Sequence, residues 1–525
     1  MDMKRILYII SIALAAACAT GCIAGYEKIN TNPYEATDEH VVADDYLIQG
    51  ALKTMLGYYV PSQEHQFQFM NILCGSTLGG YLAEQKGWET KTSTYNPNDE
   101  WAAYTFEKVI PGIYGAYIQL TSSTDDPIAT SVAEIVNVAT FVQLSDIYGP
   151  LPYSKIGLDG SLVAEYDSQE DIYNIGFEKL TAAVNTLTER STSVLNANAD
   201  IIYGGDLKKW IRFANTIKLR MAMRIVYADP TKAQQMAEEA VNHTFGVITT
   251  NADNAAYSHP TQNNYYLCCI QWGDYRVAAD IACYMNGYKD PRRAAYFTES
   301  NYSNQPYAGW RRGTRMEDSN GGNPCSNVKV KMDDKMQWLN AAEATFLRAE
   351  GALRGWNMGG DAQDLYEEAI RLSFEQWSTA GADAYIADAS STPTDYTDLS
   401  GKGYGSVLGS RITIAWDKSG DFEKNLEKII TQKWIANWRG TGVEGWFEFR
   451  RTGYPKLMPA GANLSNGVIA EDGFARRLPY PINELTNNTE NYRKAVSEHL
   501  GGADNMATRV WWDTYAKLSL VCKER

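Results

Sequence analysis

The sequence predicts a mainly α protein, assembled from helix pairs and interrupted by long irregular stretches. Three observations carry this reading. Apolar residues recur with the helical 3.6-residue period in window after window, and capping residues or Gly/Pro breakers close those windows. Several windows fall in adjacent pairs split by a short turn. Two segments, near 79–105 and 250–335, lose the period and fill instead with Gly, Asn, Tyr and Trp.

The elements follow in chain order. Over 131–148, Ile135, Val138, Ala139, Val142 and Leu144 fall close to one stripe, and Gly149-Pro150 stops the helix. Over 169–187, Ser168 is placed to cap, and Ile172, Ile175, Leu180, Ala183, Val184 and Leu187 face inward. A third helix fits 207–227, ended by Asp229-Pro230, and a fourth 231–243. The windows 339–353 and 363–377, split by Asn357-Met358-Gly359-Gly360, read as a helix-turn-helix, and 424–439 with 444–451 as another. Helix pairs of about 34 residues with an exposed apolar face resemble tetratricopeptide units, which bury that face by stacking into a superhelix; no strict repeat consensus is visible. Long irregular connections in a compact chain are usually functional, which directs attention to the two segments between the helical blocks.

The first residues belong to export. Lys4-Arg5, an apolar run over 6–17 and small residues ahead of Cys22 make a secretory signal, too short for the roughly 20 apolar residues that span a bilayer. Cleavage before Cys22 removes residues 1–21 and presents a thiol for lipid, as in bacterial lipoproteins, where several acyl chains together make a stable anchor. An ordinary signal with an incidental cysteine is the competing reading, since Ala19 stands where Leu is favoured; Cys18 is a weaker candidate for the same cut. The Asn/Pro/Thr content that follows gives 22–39 the character of a tether. No linker divides 40–525, which are therefore expected as one unit although their length would allow several domains.

A formal net charge of −15 argues against nucleic acid and against a basic patch on anionic lipid, so the membrane attachment falls to the lipid. Cys74, Cys268, Cys269, Cys283, Cys325 and Cys522 are too sparse for a disulfide scaffold and lack zinc-site spacing; Cys268 with Cys283 or Cys325 is the pairing to check. With 34 Tyr and 14 Trp against 14 Phe, the composition favours rings that both stack and hydrogen-bond.

A series of motifs then carries a resemblance. It comprises Tyr26-Glu27-Lys28-Ile29-Asn30-Thr31-Asn32-Pro33, Asp146-Ile147-Tyr148-Gly149-Pro150-Leu151-Pro152-Tyr153 and Asp290-Pro291-Arg292-Arg293. Ala341-Ala342-Glu343-Ala344, Ala349-Glu350-Gly351-Ala352 and Gly355-Trp356 come next. Gly445-Trp446-Phe447-Glu448-Phe449-Arg450-Arg451-Thr452-Gly453-Tyr454-Pro455, Arg476-Arg477-Leu478-Pro479-Tyr480-Pro481 and Glu484 close the series. In order and spacing, and together with the lipid cysteine, these are similar to the SusD-like (RagB/SusD) outer-membrane lipoproteins of Bacteroidota. The resemblance implies a helical body of tetratricopeptide-like pairs capped by irregular segments. It also implies a lid, exposed at the surface of the outer membrane, over a TonB-dependent (SusC-like) transporter that receives captured oligosaccharide. Some relatives take peptides or other nutrients, so a peptide remains the alternative ligand. No cofactor is implied.

A pyranose ring shows an apolar C–H face and a fringe of hydroxyls, so its site needs an aromatic plate edged by Asn, Asp, Gln or Arg. The first irregular stretch supplies Trp88, Tyr95, Asn96 and Trp101 as candidates; the second supplies Tyr266, Trp272, Tyr275, Tyr307, Trp310 and Arg311. Trp88, Trp272 and Trp310 stand foremost because each lies beside Gly and polar residues, away from a helical stripe. The competing role for each ring is to pack the cap onto the helices. Trp434, Trp438 and Trp446 lie at near-helical spacing and read as core, Trp511-Trp512 as packing for the tail, and the Arg450-Arg451 and Asp290-Pro291-Arg292 groups as buried ion pairs. Asp253 and Asp274 are carboxylates without the spacing of a calcium loop.

An exported helical glycosidase is the competing class, since two carboxylates across a cleft would suffice. The sequence shows no Gly-x-Ser-x-Gly elbow, no His-Glu-x-x-His and no Walker loop, and its five histidines form no cluster, so no catalytic or metal residue is assigned. His259 lies in a candidate stretch but reads as structural. A protein-binding scaffold is the third class, separable by its indifference to soluble glycan or peptide.

Overall fold

This computed structural model describes residues 46–157, 163–440, 442–471 and 473–515. The leader over 1–21, Cys18, Cys22, the tether over 22–39 and Cys522 lie outside the described residues. The longer helices are α1 (Tyr46–Tyr59), α2 (Ile110–Ser123), α3 (Pro127–Tyr148), α4 (Gln169–Glu189), α5 (Leu207–Arg224) and α6 (Pro230–Val241). They continue with α7 (Ala279–Gly287), α8 (Ala341–Leu353), α9 (Ala362–Gln376), α10 (Phe422–Ala436) and α11 (Gly442–Thr452).

The caps decide where these helices begin. Helix α3 starts ahead of its apolar stripe because Asp126 accepts from the N–H groups of Ile128 and Ala129, and Pro127 fills the first turn, where a missing N–H has no partner to lose. Ser168 caps α4 through the Asp171 N–H, as its position predicts. Helix α5 stops at Arg224, short of Tyr227, since the chain must leave helical geometry before Asp229 caps α6 through the Lys232 N–H. Leu339 lies in a strand rather than in α8, which Asn340 caps through the Glu343 N–H.

The helices pack in pairs: α1 on α2, α3 on α4, α5 on α6 and α8 on α9. The pairs stack through α1 on α3, α4 on α5, α5 on α8 and α8 on α10, which is the helix-pair superhelix that the periodicity predicts. Helix α3 is long and apolar enough to cross a bilayer by composition, but 83% of its apolar window is buried inside the protein, so it is a core helix. One cluster of buried apolar side chains runs from Ile48 to Trp512 and includes Trp434, Trp438, Trp446 and Trp512.

Charged motif residues thread that core. Glu448 on α11 meets Lys433 at 2.9 Å, Arg224 at 2.6 Å and Arg451 at 2.5 Å, and Arg451 also meets Glu350 at 2.6 Å. Arg224 pairs with Glu444 as well, and Arg220 meets Glu343 at 2.7 Å. Burial alone would raise the Glu448 carboxyl, but Arg451, Lys433 and Arg224 outweigh it and hold it well below its ordinary range. Arg292 and Asp290 form the expected buried pair at 2.6 Å. Arg450 departs from expectation. It forms no ion pair with a described carboxylate; instead it donates to the Arg476 and Asp146 carbonyls and lies 3.9 Å from the Trp446 ring centroid and 4.7 Å from that of Trp512. Burial pushes its guanidinium down to about 9.

The two irregular stretches are joined to each other. Strand β1 (Leu82–Glu84) in the first pairs antiparallel with β5 (Tyr275–Val277) in the second, Leu82 opposite Val277 and Glu84 opposite Tyr275. The other ladders pair β2 (Leu151–Pro152) with β3 (Tyr166–Asp167), and β4 (Ala255–Tyr257) with β6 (Met336–Leu339). Strands this short fall below what periodicity can detect. Helix α7 also lies inside the second stretch; every residue from Ala279 to Met285 is buried, so it shows no polar face and no period. Cys74, Cys268, Cys269, Cys283 and Cys325 are buried and free, so neither pairing of Cys268 exists, and they pack as small apolar groups.

Candidate functional site: an aromatic stripe on the cap

The β1–β5 ladder sets both irregular stretches beside a π-helical segment, Gln68–Ser76. Along this side runs a series of exposed or half-exposed rings. His65 lies 6.0 Å from Trp272 with 24° between their planes, and 6.0 Å from Phe69 at 19°. Phe69 lies 6.1 Å from Trp101 at 29°, and Tyr104 stands edge-on to Phe69 at 5.5 Å. Four rings from three chain segments are thus near-parallel and offset.

Local structure explains the alignment. His65 and Phe69 are four residues apart on a continuous helical run whose start Gln63 caps through the Gln66 N–H. Trp101 and Tyr104 are three apart on the short helix Asp99–Tyr104, which Asn98 caps through the Glu100 N–H. Trp272 closes a second π-helical segment, Tyr266–Gln271, and a third, Thr105–Val109, follows directly on Tyr104. The π-helix is rare and recurs at functional sites; here each aromatic contribution to the stripe adjoins one.

Polar groups sit at the margin. The Gln68 amide donates to Asp274 Oδ2 at 3.3 Å and to the Tyr275 hydroxyl at 3.0 Å. Lys86 Nζ lies 3.9 Å from Asp274 Oδ1. Tyr104 donates to Gln63 Oε1 at 3.3 Å. Partial burial raises the Asp274 carboxyl above its ordinary 3.8, against the opposing pull of Lys86 and Gln68. Apolar faces edged by amide, carboxylate and ammonium are the groups a pyranose needs.

The structure sorts the predicted residues. Trp101 and Trp272 are in the stripe. Trp88 is half-exposed beside it, edge-on to Tyr275 at 5.9 Å. Four candidates are buried and offer no face to a ligand: Tyr95, Tyr275, Trp310 and Arg311. Trp310 is wholly enclosed because the neighbouring glycines close over it. A Cβ on Gly322 would meet its Cγ at 2.9 Å, so the missing side chains there admit the indole and not a sugar. Tyr95, at φ 60°, ends a tight turn with its ring on Phe474, and Arg311 donates to the Pro459 carbonyl at 2.5 Å. Tyr275 serves as floor beneath Trp88. Asn96 closes a turn onto the Lys91 carbonyl at 3.1 Å, and Tyr266 is half-buried without a ring partner among the described residues. Tyr307 lies elsewhere, under Arg293.

Sequence reasoning missed His65, Phe69, Tyr104 and Gln68. His65 and Phe69 precede the first irregular stretch, and their signal was a four-residue aromatic spacing just after the Pro61-Ser62 break. His259 is structural, in hydrogen-bond contact with the Ser62 carbonyl at 2.7 Å. Asp253 is engaged by Arg212 at 3.4 Å and Lys209 at 3.9 Å. Among the described residues no group of His, Cys, Asp and Glu is arranged to hold a metal ion.

Comparison with known proteins agrees with this architecture. The SusD-like family model, described as SusD and RagB outer membrane lipoprotein, matches residues 28–513. A SusD homolog from Bacteroides uniformis is 44% identical, with a TM-score of 0.86 over 90% of this chain and 100% of its own. One from Bacteroides ovatus is 39% identical, with a TM-score of 0.85 over 90% of this chain and 100% of its own. A chitin-binding SusD homolog from Flavobacterium johnsoniae is 37% identical, with a TM-score of 0.85 over 89% of this chain and 99% of its own. No curated protein sequence matches the chain. With a family model spanning nearly its whole length and solved relatives superposing end to end, the chain belongs to the SusD-like family and is a nutrient-binding lipoprotein of the outer membrane.

Proposed function

We propose that the stripe Trp272, His65, Phe69 and Trp101 binds an oligosaccharide at the cell surface, and that the protein passes it uncleaved to a TonB-dependent, SusC-like transporter. In this reading residues 1–21 are removed, lipid on Cys22 anchors the chain, 22–39 form the tether and 40–525 work as one unit. The observation that carries the ligand class is the near-parallel run of rings at about 6 Å intervals with Gln68, Asp274 and Lys86 at its edge. A stacked ring is worth about 1 kcal/mol beyond its buried area, so affinity comes from several rings acting together. The chitin-binding relative supplies the first probe, N-acetylglucosamine oligomers.

The test is isothermal titration of the purified protein with those oligomers, with plant and mucin oligosaccharides and with a peptide mixture, followed by product analysis. Saturable binding of one glycan without cleavage is the expected result. Cleavage would make the protein an enzyme, and binding of peptide alone would overturn the ligand class.

A further inference from the structure

We propose that a second ligand site, for a sugar residue carrying a carboxylate or sulfate, lies in the cavity between the end of α7 and residues 394–397. The cavity is an open pocket of about 460 Å³, within the usual range for small-molecule sites, and its lining includes Asn286, Arg293, Gln305, Tyr307, Thr394 and Asp395. It is separate from the stripe. Tyr275 stands on the strand that leads into α7, and Asn286 lies near that helix's far end, about 10 Å from its start at 1.5 Å per residue.

Arg293 sets the ligand class. Its Nε donates to the Asp290 carbonyl at 2.9 Å, its Nη1 to Asn286 Oδ1 at 3.1 Å, and its guanidinium lies 5.4 Å from the Tyr307 ring centroid. These contacts fix the plane of the group without neutralising it. Among the described residues no carboxylate comes within ion-pair distance of Arg293, and its Nη2 donates to nothing. Asp395, the carboxylate in the lining, is engaged by Arg411 at 2.7 Å and by the Leu408 N–H at 2.9 Å. The cavity therefore keeps a held, planar donor suited to an oxyanion. Around it Asn286 is spent on positioning, donating to the Tyr307 carbonyl at 2.6 Å, and Thr394 donates to the Cys283 carbonyl at 3.2 Å; Gln305 offers an amide, and Tyr307 a half-exposed ring whose hydroxyl has no partner among the described residues.

The experiment is saturation-transfer NMR on the purified protein with glucuronic acid, N-acetylneuraminic acid and glucose sulfate, and with glucose as the neutral control. At least one anionic sugar is expected to bind, more weakly at high salt, and glucose is not. Arg293→Gln should lower that affinity about tenfold, the scale of one charge-assisted contact. Thr397→Trp, an occluding change at an exposed rim position, should do the same with no effect on folding. The double variant Trp101→Ala, Trp272→Ala should leave anionic-sugar binding intact, so failure of the stripe and failure of this site are distinguishable. Binding by none of the three, binding indifferent to Arg293→Gln and Thr397→Trp, or binding lost with the stripe variant would overturn the proposal.

Discussion

In the helical body Glu448 meets Lys433, Arg224 and Arg451 in one buried seam, whereas in the cap Asp274 meets one amide and a lysine at 3.9 Å. Trp446 in the body is fully enclosed beside Arg450, whereas Trp101 and Trp272 in the cap are half-exposed. The same residue types are enclosed by protein partners in one region and left with a face open to solvent in the other. Enclosed groups hold helices to one another; groups with an open face or a free lone pair are available to a ligand.

The largest test of that contrast is Glu448→Ala. It leaves Lys433 without a carboxylate and takes one of several partners from Arg224 and Arg451, and is expected to lower unfolding free energy by roughly 3–5 kcal/mol, while glycan affinity of the folded protein stays unchanged. Urea unfolding beside calorimetric binding checks both halves, and a loss of affinity without a loss of stability would break the comparison. Trp310→Ala probes the buried side of the cap itself: about 3–5 kcal/mol of stability should go, with binding to the stripe intact.

A smaller effect is expected where the ring is open. Trp101→Ala or Trp272→Ala should each weaken glycan binding about tenfold, near 1.4 kcal/mol, with the thermal midpoint unmoved. Acid should separate the regions most gently. The folded-state carboxyls of Glu350, Glu444 and Glu448 lie below their ordinary 4.5, so their stabilisation is present above that pH and is lost as pH falls through the folded values. Asp146, raised by burial from its ordinary 3.8 to about 6, acts in the opposite sense between those two values, where acidification adds stability. Asp274 is raised above 3.8, so its acceptor is lost earlier on acidification than an ordinary aspartate's, and glycan binding should weaken while the body is still folded. Parallel binding and circular-dichroism titrations from neutrality downward read the order of the two losses.

Much of the body was legible because caps and apolar stripes are local. Ser168, Asp229-Pro230 and the turn after Arg354 mark helix ends that the structure places within a few residues. The buried pair Asp290–Arg292 and the enclosed Trp434, Trp438 and Trp446 were equally readable from type and spacing. The cap was legible only as a region. Whether Trp272 or Trp310 faces solvent depends on which distant backbone lies over each, and Gly321-Gly322 are more than ten residues along the chain from the indole they cover. His65 and Phe69 join Trp101 and Trp272 only through tertiary packing beside the β1–β5 ladder, which no window of sequence contains.

The π-helical segments at the stripe have a consequence for how such a surface changes. A π turn is the form in which a helix carries one extra residue, taken up as a local bulge instead of by rotating everything beyond it by about 100° around the helix axis. Within Gln68–Ser76, Thr105–Val109 and Tyr266–Gln271, a single-codon deletion or insertion absorbed at the bulge would therefore re-aim the side chains there while the helix beyond kept its register. Ligand preference on this scaffold is open to revision by changes in chain length as well as by changes in residue identity.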